Sequence, residues 1–158
     1  MSSHRQVLFH FVFGTKNRKL SIAESNAEDL YRYIWGIIKN CKGKLYRING
    51  MQDHIHILTD LPPTLAISEY IKTIKVASSL WMKDCGKYPE FEGWQEGYGA
   101  FTHSIWEKDK MINYIKNQKE HHRSENFVDE YRRLLMEHRV DFDERYLFND
   151  SSSVRSGH

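Results

Sequence analysis

A chain of 158 residues, 40% hydrophobic and 28% charged, has the size of one domain with its own core, burying about 70% of the unfolded surface. Its 23 Lys and Arg against 21 Asp and Glu neither demand nor exclude a nucleic-acid partner, so the placement of the basic residues matters more than their sum. No apolar run approaches the ~18 to 20 residues that cross a bilayer, and no amino-terminal hydrophobic segment with a cleavage site precedes Cys41 and Cys85, which form no CxxC; free thiols in a reducing cytoplasm are expected.

Gln6 to Gly14 is rich in Val and Phe on both faces and predicts a central strand, with His10 sharing a face with Leu8 and Val12. Apolar residues at helical spacing (Ala27, Leu30, Tyr31, Ile34, Ile37, Ile38) predict a helix from about Ala23 to Cys41, with Ser21 and Glu24 as a capping box. Lys44 to Asn49, the turn Gly50-Met51-Gln52-Asp53 and His54 to Asp60 form a β-hairpin pattern. Pro62 and Pro63 break regular structure before a helix from about Ile67 to Asp84, stopped by Gly86.

Trp94 to His103 suits one or two short strands interrupted at Gly97 and Gly99. Ser104 and Glu107 make a second capping box, opening a helix from about Ile105 to Lys119. A last helix is expected near Phe127 to His138, and residues 151–158 are expected to be a disordered tail to a single domain of residues 1–150. The order strand, helix, strand, strand, helix, strand is the split βαβ pattern of an α+β, ferredoxin-like fold: an antiparallel sheet with two helices on one face and the other face open for the histidines.

On a strand, His54 and His56 project to one face while Ile55 enters the opposite layer, which makes two neighbouring metal ligands. On a helix, Tyr114 and Gln118 share a face four residues apart. His-hydrophobe-His alone is more often structural than functional in a chain with nine histidines; the tyrosine helix shifts the balance. The combination resembles the single-tyrosine HUH transposases, the insertion sequence 200/605-like group that includes REP-associated tyrosine transposases. The likeness runs through Phe9 to Lys16, Met51 to Leu58, Trp94 to Phe101 and the tyrosine helix.

That resemblance implies a DNA transposase that cleaves and rejoins single-stranded DNA at hairpin-containing ends, through a covalent 5′-phosphotyrosine on Tyr114. Tyrosine titrates near pH ~10 and needs help as a nucleophile. One Mg²⁺ or Mn²⁺ held by His54, His56 and Gln118 is the expected help, its ligands neutral and its remaining positions open to DNA oxygens. His122, eight residues beyond Tyr114, competes with or supports Gln118. Asp53 and His10 are candidates to orient imidazoles, each with a blander reading as a turn aspartate or a core histidine.

Lys16, Arg18 and Lys19, and Lys72 and Lys75 with Lys83, form two basic clusters suited to phosphates. Trp94, Tyr98 and Phe101 are either base-stacking platforms or core. The resemblance also implies a homodimer, with the tyrosine helix docking in cis or completing the partner's site in trans. Two alternatives compete: a domesticated binder of hairpins or repetitive palindromes with little strand transfer, and a small metallohydrolase or histidine-triad nucleotide hydrolase. The latter lacks further ligands near the pair.

Overall fold

Strict alternation in two buried strands divides the protein into two layers. The computed structural model describes residues 4–148, and in it strand β1 (Phe9–Gly14) sends Phe9, Phe11 and Phe13 into one core while Val12 enters another. Across the register Val12↔His56, strand β3 (His54–Thr59) repeats the split, with Ile55 and Ile57 on the first face and Leu58 on the second. Every residue of both strands is buried, including the polar His10, His54, His56 and Thr59.

Helices α1 (Glu24–Asn40) and α2 (Ile67–Cys85) cover the first face, contributing Leu30, Ile34 and Ile38, and Tyr70, Ile71 and Ile74. Fully burying a Phe or Ile of this layer is worth about 1.5 to 3 kcal/mol. With β2 (Leu45–Met51) and β4 (Gly99–Thr102) the sheet is antiparallel in the order β2-β3-β1-β4. This is the α+β, split βαβ arrangement that the element order predicts.

The second face is not open. Helix α3 (Lys108–Lys116) lays Met111 and Ile115 on Leu8 and Leu58. A short turn α4 (Gln118–His121) follows, and α5 (Phe127–Glu137) packs Phe127, Tyr131, Leu134 and Leu135 on Val12 and Phe101. Strand periodicity reports which side chains share a face but not which later helices return to cover it.

Smaller expectations also change. Ala23, not Ser21, precedes α1, and the Ser21 hydroxyl donates to the Lys19 carbonyl instead. The Ser104–Glu107 box does form. Between β2 and β3 the turn contracts to Gln52 and Asp53, and Trp94 makes only an isolated bridge to Thr15. Both cysteines are free, and among the described residues no helix is long and apolar enough to cross a membrane. The expected tail at residues 151–158 lies outside the described residues.

Gly50 pairs with Ile55, and a Cβ there would sit 2.2 Å from the His54 carbonyl oxygen and 2.9 Å from the Ile55 Cα. Backbone cannot step aside as a flexible side chain can. Gly50→Ala is therefore expected to destabilise the protein by about 3 kcal/mol, at the upper end of the usual overpacking cost, as a lower urea midpoint; an unchanged midpoint would contradict the close approach.

Candidate active site

The parity of β3 delivers His54 and His56 to the face beneath α3 and α5, and both are wholly buried. Each imidazole is oriented from behind. The Asp53 carboxylate lies 2.7 Å from His54 Nδ1, and His10 Nε2 lies 2.8 Å from His56 Nδ1. Both second nitrogens, the Nε2 atoms, therefore point away from the sheet toward the same small volume. A metal-binding histidine needs this arrangement, in which the far nitrogen is fixed by a hydrogen bond and the near one carries the lone pair.

Tyr114 and Gln118 do not share one continuous helix. Asn49 on β2 donates through its side-chain amide to the carbonyls of Ile115 and Lys116, each at 3.1 Å. Those carbonyls are among the ones a helix end leaves unpaired. The helix stops at Asn117, whose φ of −96° and ψ of 27° break the ladder, and resumes for one turn. Gln118 is fully buried, its Oε1 3.2 Å from His54 Nε2 and 3.1 Å from His122 Nε2.

The centre of the cluster is a residue that the sequence reading did not select. Glu130 on α5 is wholly buried, with Oε1 3.2 Å from His54 Nε2, 3.1 Å from His56 Nε2 and 2.9 Å from His122 Nε2. Its other oxygen accepts hydrogen bonds from Gln118 Nε2 and from the Tyr114 hydroxyl. Arg133, one turn along α5, donates to the Tyr114 oxygen at 2.7 Å and pairs with Glu125 at 2.9 Å. A signal for Glu130 did exist: it lies on the apolar stripe of α5 between Phe127 and Leu134, where a charge is costly unless paired.

The electrostatics follow from this packing. Burial pushes the Glu130 carboxyl up, but His56, His122 and His54 together outweigh it and hold it well below the usual carboxylate range. Burial likewise opposes charging of His54, yet Asp53 and Glu130 prevail and raise it. Burial lowers His56 despite Glu130, and burial, with His56 and His103 beside it, holds His10 well below the ordinary histidine value. Burial and the Glu130 charge keep the Tyr114 phenol protonated far above neutrality, with Arg133 pulling the other way.

The donor set suits a divalent cation. If His54 Nδ1 donates to Asp53, its Nε2 is a bare acceptor facing two further acceptors, Gln118 Oε1 and Glu130 Oε1. Converging lone pairs call for a proton or a metal ion between them. The ligand atoms of His54, His122 and Glu130 all lie within 4.8 Å of one another.

The basic clusters are more dispersed. Lys75 donates to the carbonyls of Gln95 and Gly97, and burial lowers its pKa to about 8. Lys19 bridges Glu90 and Glu92, and the Arg18 guanidinium lies 4.8 Å over the Phe148 ring. Lys72 is exposed on α2, whereas Lys16 lines a cleft with Lys75 and Trp94. Trp94 and Tyr98 pack against the first core and Phe101 is buried in the second, so packing accounts for all three. The fully displayed ring is Trp106, 92% exposed at the start of the tyrosine segment.

A neutral His10 in the fold implies an acid-sensitive apo protein. The unfolded chain takes up a proton at His10 near pH ~6.5 and the folded chain does not, so stability falls as pH drops below that value. His56 acts with the same sign and His54 with the opposite one, and because His10 and His56 are hydrogen-bonded to each other, a comparison with His10→Phe reports the titration of that pair. Between pH 6.5 and 5 the chelator-treated wild type is expected to lose up to about 1.4 kcal/mol per pH unit more than the variant in urea titrations; equal slopes would contradict a buried neutral His10.

Residues 3–118 match the family model described as "Transposase IS200 like". The chain is 30% identical over 122 residues to the transposase for insertion sequence element IS200 of Salmonella typhimurium, covering 71% of this chain and 76% of that protein, and the Salmonella typhi protein matches equally. A solved putative transposase from Deinococcus radiodurans R1 is 25% identical with a TM-score of 0.58, covering 75% of this chain and 98% of that one. A REP-associated tyrosine transposase bound to a REP hairpin shares the fold at 18% identity and a TM-score of 0.57, over 77% of this chain and 74% of that one. Glu130, Arg133 and the rest of α5 lie beyond the matched residues, but those residues include both strand histidines, Tyr114 and Gln118; on this match the chain belongs to the IS200-like transposase family.

Proposed function

We propose that this transposase cleaves and rejoins single-stranded DNA through Tyr114, at ends folded as hairpins. The observation that carries the reading is that the Tyr114 hydroxyl and the His54, His56 and Gln118 donors meet around one carboxylate, Glu130. The Tyr114 oxygen attacks phosphorus, the bond to the 3′ oxygen breaks, and a 5′-phosphotyrosine and a free 3′-hydroxyl result. Attack by another 3′-hydroxyl reverses the step and joins strands, so no nucleotide cofactor is consumed.

A divalent ion, Mg²⁺ or Mn²⁺, bound by His54, His56 and Gln118 supplies Lewis-acid stabilisation of the charge that develops on the phosphate. The chain supplies position and countercharge. Arg133, donating to the phenol oxygen, favours the phenolate that attack requires. Asp53 and His10 hold the two imidazoles in register. A cleft of about 300 Å³ reaches Tyr114, lined by Lys110, Arg133, His103 and His138 together with Glu107 and Glu137, and its cationic groups are the ones available to an entering phosphate backbone.

The hairpin in the REP-associated relative supports folded single-stranded DNA as the partner class. The tyrosine helix packs on the sheet through Met111 and Ile115, and the assembly proposed with it is a cytoplasmic homodimer in which that helix serves its own chain's site or completes the partner's.

Denaturing gels of the protein incubated with labelled single strands from the flanks of its gene test the chemistry. A covalent adduct is expected with Mg²⁺ or Mn²⁺, lost with chelator and abolished in Tyr114→Phe while that variant keeps its fold and binds DNA. Hairpin binding without any adduct on native ends would replace the transposase reading with that of a domesticated binder.

A further inference from the structure

We infer that Glu130 and His122 are themselves metal ligands, so that the ion-binding site has five protein donors, three imidazole nitrogens, one carboxylate oxygen and one amide oxygen, and prefers Mn²⁺ or a later transition ion to Mg²⁺. The inference rests on the single-metal reading above and extends it to residues outside the family match.

Spacing is the first argument. Ligands at right angles around an ion with bonds of about 2.1 Å sit about 3 Å apart. Glu130 Oε1 lies 2.9 Å from His122 Nε2, 3.1 Å from His56 Nε2 and 3.2 Å from His54 Nε2. Gln118 Oε1 lies 3.1 and 3.2 Å from the nitrogens of His122 and His54. The Glu130 oxygen thus stands at the spacing of neighbouring ligands from all three imidazoles and the Gln118 oxygen from two of them, and the ligand atoms of His54, His122 and Glu130 lie within 4.8 Å of one another, with His56 completing the set by moving toward them.

Burial is the second. Glu130 is 0% exposed, and among the described residues no Lys or Arg contacts its carboxylate. A carboxylate in that position requires positive charge close by; a protonated imidazole such as His54 supplies it in the ion-free protein, and a bound cation takes over that role when the imidazoles become its neutral ligands.

Chemistry decides the ion. Imidazole nitrogen suits transition ions, whereas Mg²⁺ favours oxygen donors and dehydrates reluctantly. A negative ligand also raises affinity above that of the neutral trio His54, His56 and Gln118. Because the second oxygen of Glu130 accepts the Tyr114 hydrogen bond, a single side chain links the ion to the tyrosine.

The test uses full-length, chelator-stripped protein without DNA. Mn²⁺ and Mg²⁺ affinities are measured by calorimetry for wild type, Glu130→Gln, His122→Ala and the double variant His54→Ala/His56→Ala, with thermal melts confirming that each is folded. Mn²⁺ is expected to bind wild type more tightly than Mg²⁺, and Glu130→Gln and His122→Ala each to weaken Mn²⁺ by roughly 10-fold or more, since even residues that merely orient a ligand cost 10- to 100-fold.

In wild type alone, pulsed electron paramagnetic resonance of bound Mn²⁺ is expected to detect three coordinated imidazole nitrogens, a readout independent of whether the variants fold. Unchanged or tighter Mn²⁺ binding in Glu130→Gln, or two nitrogens in wild type, would overturn the inference. If the double variant still lost binding, the three-ligand reading would stand. Absence of Mn²⁺ and Mg²⁺ binding by wild type would overturn both.

Discussion

The placement of one buried carboxylate organises this protein. Transferring an ionised glutamate out of water costs several kcal/mol even after relaxation, and only good geometry with multiple partners offsets it. Glu130 meets that demand with His54 and His56 from β3, Tyr114 from α3, Gln118 from α4 and His122 beyond it. The partners come from separate stretches of chain, so they constrain one another: Glu130 adds a polar tie to the apolar packing that holds α5 over the sheet, and the Tyr114 hydroxyl on α3 and the Gln118 amide on α4 complete the carboxylate's hydrogen bonds.

The remaining precision comes from rigid elements. The two strand histidines inherit their direction from the pleat, and β3 is the second strand of a sheet in which it has neighbours on both sides. Gln118 takes its direction from a helix break that Asn49 enforces by capping the carbonyls of Ile115 and Lys116. A site built from strand parity and a capped helix end loses little entropy when it engages a substrate, the condition for positioning a phosphodiester in line with a nucleophile.

Tyr114 lies between opposing influences. The Glu130 carboxylate accepts its proton-bearing hydrogen bond and, with burial, favours the neutral phenol, whereas the Arg133 guanidinium favours the phenolate. Anything that draws the charge of Glu130 toward a cation relieves the first influence and leaves the second. On the proposed mechanism, metal binding and activation of Tyr114 would be connected through this one side chain of α5.

Much of this was legible along the chain. The alternation in Phe9 to Phe13 and in His54 to Leu58 determined two strands and the shared face of the histidines, because parity on a strand is a local property. The Ser104–Glu107 box marked the start of the tyrosine segment for the same reason, and four ordered blocks of sequence identified the family. What only the tertiary structure decided was the cover: α3 and α5 close the face expected to be open, Asn49 breaks a helix that the periodicity runs straight through, and Glu130 becomes the centre of the site. Each of these joins residues far apart in sequence. Local periodicity records that Glu130 interrupts an apolar stripe, but the imidazoles that make a charge tolerable there are fixed only when the chain folds back on itself.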